Sequence, residues 1–456
     1  MTKTGLHMKK RHDYTRGNIN LNLMLLALPM TIEMIMQSAF NIIDIYFVGK
    51  LGPEAISAVT MGGIFIMLIF SLSQGIAIGA GAIVARRIGE HKIKRANDTV
   101  LQALLIGGTV SLFIGMLGAL YAPSLLRLIG GSEQAVHIGS GYLRISFIGS
   151  FTIIYLFVIN AIFRGAGEAK AAMYLLGFAN ICNIILDPLL IFGIGFFPRL
   201  GVDGAAYATV ISRFLAILIQ VLLLLRGKLI VGLHRDHLSP DLEIIRAIVK
   251  IAIPGRMVLF LRTFSMLVLA RIVNIYGDLA MAAYGIGMRI FHLVLFPGFG
   301  LGNAAAALVG QNLGAKNFKR AELSAWLAAG YNSLIMGFAS LVFYFFARPI
   351  VALFTDNAIV ADTGVNLVRM LSHCYVFLGM GLVMGRSFMG AGDAVSPMVI
   401  NFFSLWVFQL PAAYLLANYT GLKENGIWLA LTLTTILNAI AFCVWFKIGR
   451  WKKKKV

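Results

Sequence analysis

Three carboxylates sit inside apolar, membrane-length segments of this chain: Glu33, Asp44 and Asp187. An acid in hydrocarbon is costly and rare, so each marks a proton or cation pathway unless a fixed partner holds it. At roughly 100° per residue, Glu33, Gln37 and Asp44 fall within about 40° of one another, one polar stripe along a helix. Asn180, Asn183 and Asp187 recur at three and four residues, again one helical face. Pro188 follows directly and should free the carbonyl of Ile184. With both segments running outward, Asp44 and Asp187 lie at similar depth, level with Thr209 early in the next, inward-running segment. Asp44, Asn183, Asp187 and Thr209 then converge on one polar pocket. Two carboxylates that repel each other in a low dielectric can load and release a proton, or share a monovalent cation such as Na+. The competing reading is a static hydrogen-bonded network that only fixes helix positions, although Asn, Ser or Thr would serve for that without acids.

The second half of the chain has no mid-span carboxylate and carries basic residues instead: Arg262 and Arg271, Arg289 and His292, Arg369 and His373. Arg271 lies near an interface and can snorkel. Arg262 is deeper and needs a carbonyl, an acid or a substrate anion as its partner. Single histidines within spans are read as hydrogen-bonded structural residues. Cys182, Cys374 and Cys443 lie inside apolar segments, with no spacing suited to a metal or a redox pair. The histidines are scattered, so no nucleophile–base or metal constellation supports an intramembrane enzyme.

The elements that must position these residues follow from composition. With 456 residues, 59% of them hydrophobic and 13% charged, and a mean hydropathy of +0.85, the chain belongs in a bilayer. A span needs about 20 apolar residues. Twelve candidates begin near Leu21, Ala55, Thr99, Val136, Ala171, Val202, Ile244, Ala280, Ala321, Asp362, Val395 and Gly426. The net charge of +20 gathers in alternate short connections, at Lys9 to Arg16, Arg86 to Arg95, Arg164 and Lys170, Arg226 to Arg235, Lys316 to Arg320 and Lys452 to Lys455. That pattern argues for lipid topology rather than nucleic acid, with both termini cytoplasmic.

The chain also repeats itself at an offset of 225 residues. Pro29 pairs with Pro254, Gly52 with Gly277, Gly89 with Gly314, Lys94-Arg95-Ala96 with Lys319-Arg320-Ala321, and Gly165-Ala166-Gly167 with Gly390-Ala391-Gly392. Six spans per half place both halves in the same orientation, the parallel-repeat transporter plan, with a cleft between two bundles that rocking exposes alternately. The expected divisions are a cytoplasmic segment (1–20), an N-lobe (21–226), a cytoplasmic linker (227–243), a C-lobe (244–448) and a basic tail (449–456). The fold class is all-α integral membrane, twelve transmembrane helices in two pseudo-twofold-related six-helix bundles. A cleft inside one chain needs no partner subunit, so a monomer is expected.

Taken together, Pro29 with Gln37 and Asn41-Ile-Ile-Asp44, Val48-Gly49, Leu51-Gly52, the Phe163-Arg164-Gly165-Ala166-Gly167-Glu168 turn and Asn183 to Asp187-Pro188 resemble the multidrug and toxic compound extrusion (MATE) family. Gly201-Val-Asp-Gly204-Ala-Ala, Ala208-Thr209 and Gly390-Ala-Gly392-Asp393 extend the resemblance over nearly the whole chain. It implies a multi-pass exporter of the cell membrane, of prokaryotic type, exchanging an inward cation for small amphipathic or cationic organic compounds, with no cofactor beyond H+ or Na+. Asp44, Asp187, Asn183 and Thr209 would form its coupling network. Gln37, Glu33, Asn180, Met34 and Arg262 are assigned to the substrate cavity. The chain departs from the NorM-like branch, which carries acids in its seventh and tenth spans, and looks more like the DinF-like branch, favouring H+ over Na+ at the N-lobe acids. The nearest alternative is a lipid-linked sugar flippase of the wider superfamily, which shares the six-plus-six core.

Overall fold

The computed structural model describes residues 12–130, 132–233 and 239–454. Lys9, Lys10, Arg11, the linker residues His234 to His237 and Lys455 lie outside the described residues. The helices in order are α1 (Ile19–Gly49), α2 (Pro53–Gly89), α3 (Ile93–Leu128), α4 (Glu133–Ile148), α5 (Ser150–Ala166), α6 (Ala169–Phe192) and α7 (Val202–Leu225). The second half follows with α8 (Leu242–Asn274), α9 (Asp278–Gly314), α10 (Phe318–Phe345), α11 (Ala347–Ala352), α12 (Ala358–Ser372) and α13 (Tyr375–Gly390). It ends with α14 (Val395–Phe402), α15 (Leu410–Tyr419) and α16 (Glu424–Ile448). A π-helical turn, Phe403–Gln409, joins α14 to α15. Among the described residues nine helical segments are long and apolar enough to cross a bilayer, and two bent pairs act as one span each. α8, expected as one of twelve spans, is not among these, because basic residues including Arg256, Arg262 and Arg271 lower its apolar character.

The duplication reaches into backbone conformation. Gly52 and Gly277, at equivalent positions before α2 and α9, have φ of 111° and 91°, which only glycine adopts without strain. His91 and Lys316, also equivalent, both adopt the left-handed region at 57° and 59°. The two bent pairs obey the same register. α4 and α5 break at Gly149 with a 44° bend, and α12 and α13 break at His373 and Cys374 with a 56° bend.

Core packing separates the two ends of the molecule. At the end without the termini each half has its own clusters: Val48, Val59, Ile191 and Val202 in the N-lobe, and Leu269, Val273, Tyr284 and Trp428 in the C-lobe. At the basic end the halves interlock. Leu23, Leu26 and Met30 of α1 pack among α9, α10 and α13, while Ile244, Ile248 and Ile251 of α8 pack among N-lobe residues. Here α2 and α9 touch across the pseudo-twofold axis. A Cβ on Gly89 would fall on the carbonyl oxygen of Gln311, and one on Gly314 would fall on that of Arg86, the equivalent residue. The contact is therefore glycine on backbone in both directions, and it exists only because neither residue has a side chain.

Terminal segments add polar ties to this seal. Arg320 donates to the carbonyls of Arg16 and Gly17, both at 2.8 Å, and Gln311 Nε2 donates to the Gly165 carbonyl at 2.9 Å. After α16, Trp451 is buried, stacked on Phe446 with ring centroids 4.4 Å apart. Lys452 pairs with Glu322 at 2.6 Å, and Arg86 of α2 donates to the Lys454 carbonyl at 3.3 Å. With the basic end interlocked and the other end clustered lobe by lobe, the lobes part most readily at the end away from the termini.

Replacing Gly89 by Val should hold the basic end apart. Spin labels at Lys94→Cys and Lys319→Cys, equivalent exposed positions in a cysteine-free background, should report a longer distance than in the parent, while Gly63→Ala, which meets no heavy atom, should leave it unchanged. An unaltered distance in the Gly89 variant would refute the seal.

Candidate functional site

α1, α6 and α7 bring most of the expected coupling residues together. Asn183 Nδ2 donates both to Asp187 Oδ1 at 3.1 Å, one turn along α6, and to Thr209 Oγ1 of α7 at 3.4 Å. Asp44 approaches from α1, within electrostatic reach of Asp187. Asn183 and Asp187 are fully buried, whereas Asp44 and Thr209 retain partial exposure. Asn180 Nδ2 donates to the Met36 carbonyl at 2.9 Å, tying α6 to α1. Gln37 and Asn180 line a narrow N-lobe cavity with Phe40, Phe157 and Leu176. Met34 is partly buried on the same helix.

Four oxygens at this place are buried without a donor: Gln37 Oε1, Asp44 Oδ1, Asn183 Oδ1 and Asp187 Oδ2. Buried acceptors are nearly always satisfied, and a cluster left open is a place for a proton or a small cation. Among the described residues no three His, Cys, Asp or Glu side chains converge as a transition-metal set. The donor set is instead two carboxylates, two amides and a hydroxyl, all hard oxygens suited to H+ or an alkali cation.

Arg213 of α7, which sequence reasoning missed, completes this site. Its guanidinium lies over the Phe40 ring at 5.3 Å and within electrostatic reach of Asp44 and Tyr142. A signal for it exists: Thr209 and Arg213 are one helical turn apart and share a face. That signal is weak because Arg213 falls in neither a basic connection nor the arginine-rich second half.

Glu33 departs from the expected cavity role. It is 1% exposed, and Arg164 Nη1 of α5 donates to Glu33 Oε1 at 2.6 Å. Asn160 Nδ2 donates to the same oxygen at 3.3 Å, and the Asn160 side-chain oxygen accepts from Gln220 Nε2 at 2.8 Å. Helical phase puts Glu33 on the Gln37–Asp44 face correctly, but that face spans three turns, and its inner end meets α5 rather than the pocket. Arg164 lies within α5 as the partner of Glu33. Arg262 is not part of the N-lobe pocket. It lies on α8 of the second half, within electrostatic reach of Arg386 of α13.

The MatE family model matches twice, at residues 29–189 and 254–415, copies whose starts stand at the offset of the repeat. The probable multidrug resistance protein YoeA of Bacillus subtilis is 27% identical over 95% of this chain and 94% of its own length. The FAD transporter of Shewanella oneidensis is 28% identical over 95% of this chain and 96% of its own length. Among solved structures, the outward-facing conformation of a multidrug resistance MATE family transporter of the MOP superfamily superposes with a TM-score of 0.89. It is 27% identical, and the match covers 98% of this chain and 99% of that one.

Removing one member of the Glu33–Arg164 pair strands a charge among apolar helices, a loss of about 3–5 kcal/mol for buried pairs in general. Glu33→Leu should therefore lower the thermal midpoint of the detergent-solubilised protein, and Glu33→Leu/Arg164→Leu should regain most of the difference. An unchanged midpoint in the single variant would remove the helix-locking role of Glu33.

Proposed function

The chain belongs to the MatE family of transporters, and on that premise we propose that it is a secondary active exporter. It moves amphipathic organic compounds out of the cell by alternating access, against inward H+ taken up at Asp44 and Asp187. The observation that carries this reading is the set of four buried, donor-free oxygens around Asn183 and Thr209. Asp44 and Asp187 supply two negative charges and Arg213 one positive, so the pocket is neutral when one H+ or one Na+ is bound. Loading one monovalent cation is then the change that alters how tightly α1 is drawn to α6 and α7.

α1 is placed to relay that change. Its outer end carries Asp44, its inner end lies in the C-lobe cluster beside α9, and Pro29 between them interrupts the backbone ladder. Neutralising the pocket lets α1 shift against α6, and the inner half of the same helix bears on the seal formed by Gly89 and Gly314. The concentration of Lys and Arg at the sealed end makes that end cytoplasmic, with both termini inside the cell and the cleft facing out. One chain contains both lobes, the cleft and the coupling pocket, so the monomer is the working unit. Two relatives of nearly equal similarity, one named for multidrug resistance and one for FAD, leave the choice of cargo to the chemistry of the cleft.

Asp44→Asn and Asp187→Asn keep size and hydrogen bonding but remove titration. Each should abolish proton-driven substrate efflux from proteoliposomes by about a hundredfold, a typical cost when a positioned proton-transfer group is lost, while membrane insertion is unchanged. With proton and sodium gradients imposed separately, efflux driven only by sodium would reassign the pocket to Na+. Efflux retained in either variant would overturn the coupling assignment.

A further inference from the structure

Away from the coupling pocket, the centre of the molecule gathers arginines with too few acids to balance them. Arg262 of α8 and Arg386 of α13 lie deep in the fold yet keep partial solvent access, as side chains lining a cleft do. They stand within electrostatic reach of each other, and Arg386 also of Arg164 across the lobe boundary. Arg164 is neutralised by Glu33. Among the described residues neither Arg262 nor Arg386 has an ion pair within 4 Å or a hydrogen bond to the protein. Arg386 runs past Gly302 and lays its guanidinium over the Phe299 ring at 5.2 Å, which orients the planar fork but leaves its N–H edge open. Trp406 of the π-helical turn donates its indole N–H to the carbonyl of Leu261, the residue before Arg262, at 3.1 Å and so fixes an aromatic ring against α8. π-helical turns of this kind frequently mark functional sites.

Two guanidiniums at membrane depth, within electrostatic reach of each other and without an acceptor among the described residues, are unfavourable in a purely structural role. A ligand carrying the missing negative charge removes the cost, and the guanidinium fork matches a planar or tetrahedral oxyanion. We infer that the inter-lobe cleft contains an oxyanion subsite built from Arg262 and Arg386, which receives the carboxylate, sulfonate or phosphate group of an amphipathic cargo while Phe299 and Trp406 receive its apolar body. This inference rests on the export reading and deepens it by naming a cargo class. The anion arises either from a soluble compound or from a lipid headgroup, and the subsite chemistry is the same for both.

The test uses the full chain in nanodiscs of phosphatidylcholine and two dyes with one tricyclic scaffold and opposite charge, fluorescein and rhodamine 123, titrated by fluorescence anisotropy against empty discs. Arg262→Gln/Arg386→Gln should weaken fluorescein binding by about tenfold per arginine lost, with rhodamine 123 binding unchanged or tighter. Arg386→Lys should lie between, since the charge remains but the fork is gone. Unchanged fluorescein binding in the double glutamine variant, or equal loss of both dyes in a variant that still elutes as a folded monomer, would overturn the subsite. Should the double variant fail to insert, each single glutamine variant and Arg386→Lys provide the same comparison. Phosphatidylglycerol added to the discs separates the sources: arginine-dependent competition assigns the subsite to lipid phosphate, and its absence assigns it to a soluble anion. Binding needs no gradient. Arginine-dependent fluorescein binding by a protein that neither gradient drives would therefore sink the export reading and leave the subsite standing.

Discussion

Hydrocarbon supplies no hydrogen bonds, so every ionised group within the helices must be answered by the protein or by something that binds to it. This constraint divides the buried charges into three kinds. Glu33 and Arg164 answer each other at 2.6 Å and hold α1 to α5. Asp44, Asp187 and Arg213 answer one another only in part and leave donor-free oxygens behind. Arg262 and Arg386 have no ion-pair partner among the described residues. Stability accounts for the first group alone. The other two carry unbalanced charge of opposite sign in opposite lobes, and that imbalance is what a carrier needs if its conformations are to respond to bound ions.

The second requirement is a mechanical link from those charges to the faces of the molecule. Here the exchange of α1 and α8 between lobes at the basic end matters more than the lobes themselves. If each lobe were a closed bundle, neutralising Asp44 would repack the N-lobe and go no further. Because Leu23, Leu26 and Met30 lie in a cluster with α9 and α10, the same helix samples both bundles. The α2–α9 contact at the seal it adjoins is glycine against carbonyl, without interdigitated side chains, and the polar ties lie around it. Such a contact is broken by a rigid shift of one helix pair, consistent with packed interiors that have discrete arrangements rather than continuous ones.

Most of the architecture is legible in the sequence because duplication and hydrophobicity are one-dimensional signals. The offset of 225 identifies the equivalent glycines from residue order alone. The starts of the twelve spans fall within a few residues of the helix starts except at Thr99, where α3 begins earlier at Ile93. The convergence of Asn183, Asp187 and Thr209 is also legible, since it follows from spacing and depth. What escapes is set by pairing across helices. Glu33 and Gln37 share a helical face, yet one meets Arg164 and the other a cavity, and helical phase alone does not distinguish them. Arg386 carries no local signal at all, as its coming within electrostatic reach of Arg262 depends on how distant segments of the second half pack. The bends at Gly149 and Cys374 have no common residue signature either: one has a glycine and the other does not, so the shared feature is the repeat position, not the residue type.

The divergence of the halves has an electrical consequence. With one cation entering per cycle, export of a monovalent cation moves no net charge, and only the cation gradient drives it. Export of a monovalent anion on the same cycle carries two positive charges inward, and each gains about 2.3 kcal/mol per 100 mV of membrane potential. Acids in one lobe and arginines in the other therefore do more than recognise two ligands. On the proposed H+ cycle they would couple an anionic cargo to both components of the proton gradient, and the advantage would grow with the charge on the cargo. The repeat has kept its glycine seal and its bends while reversing the sign of its buried charge, so on the proposed cycle the moving parts are preserved and the charge they present to a cargo is what has changed.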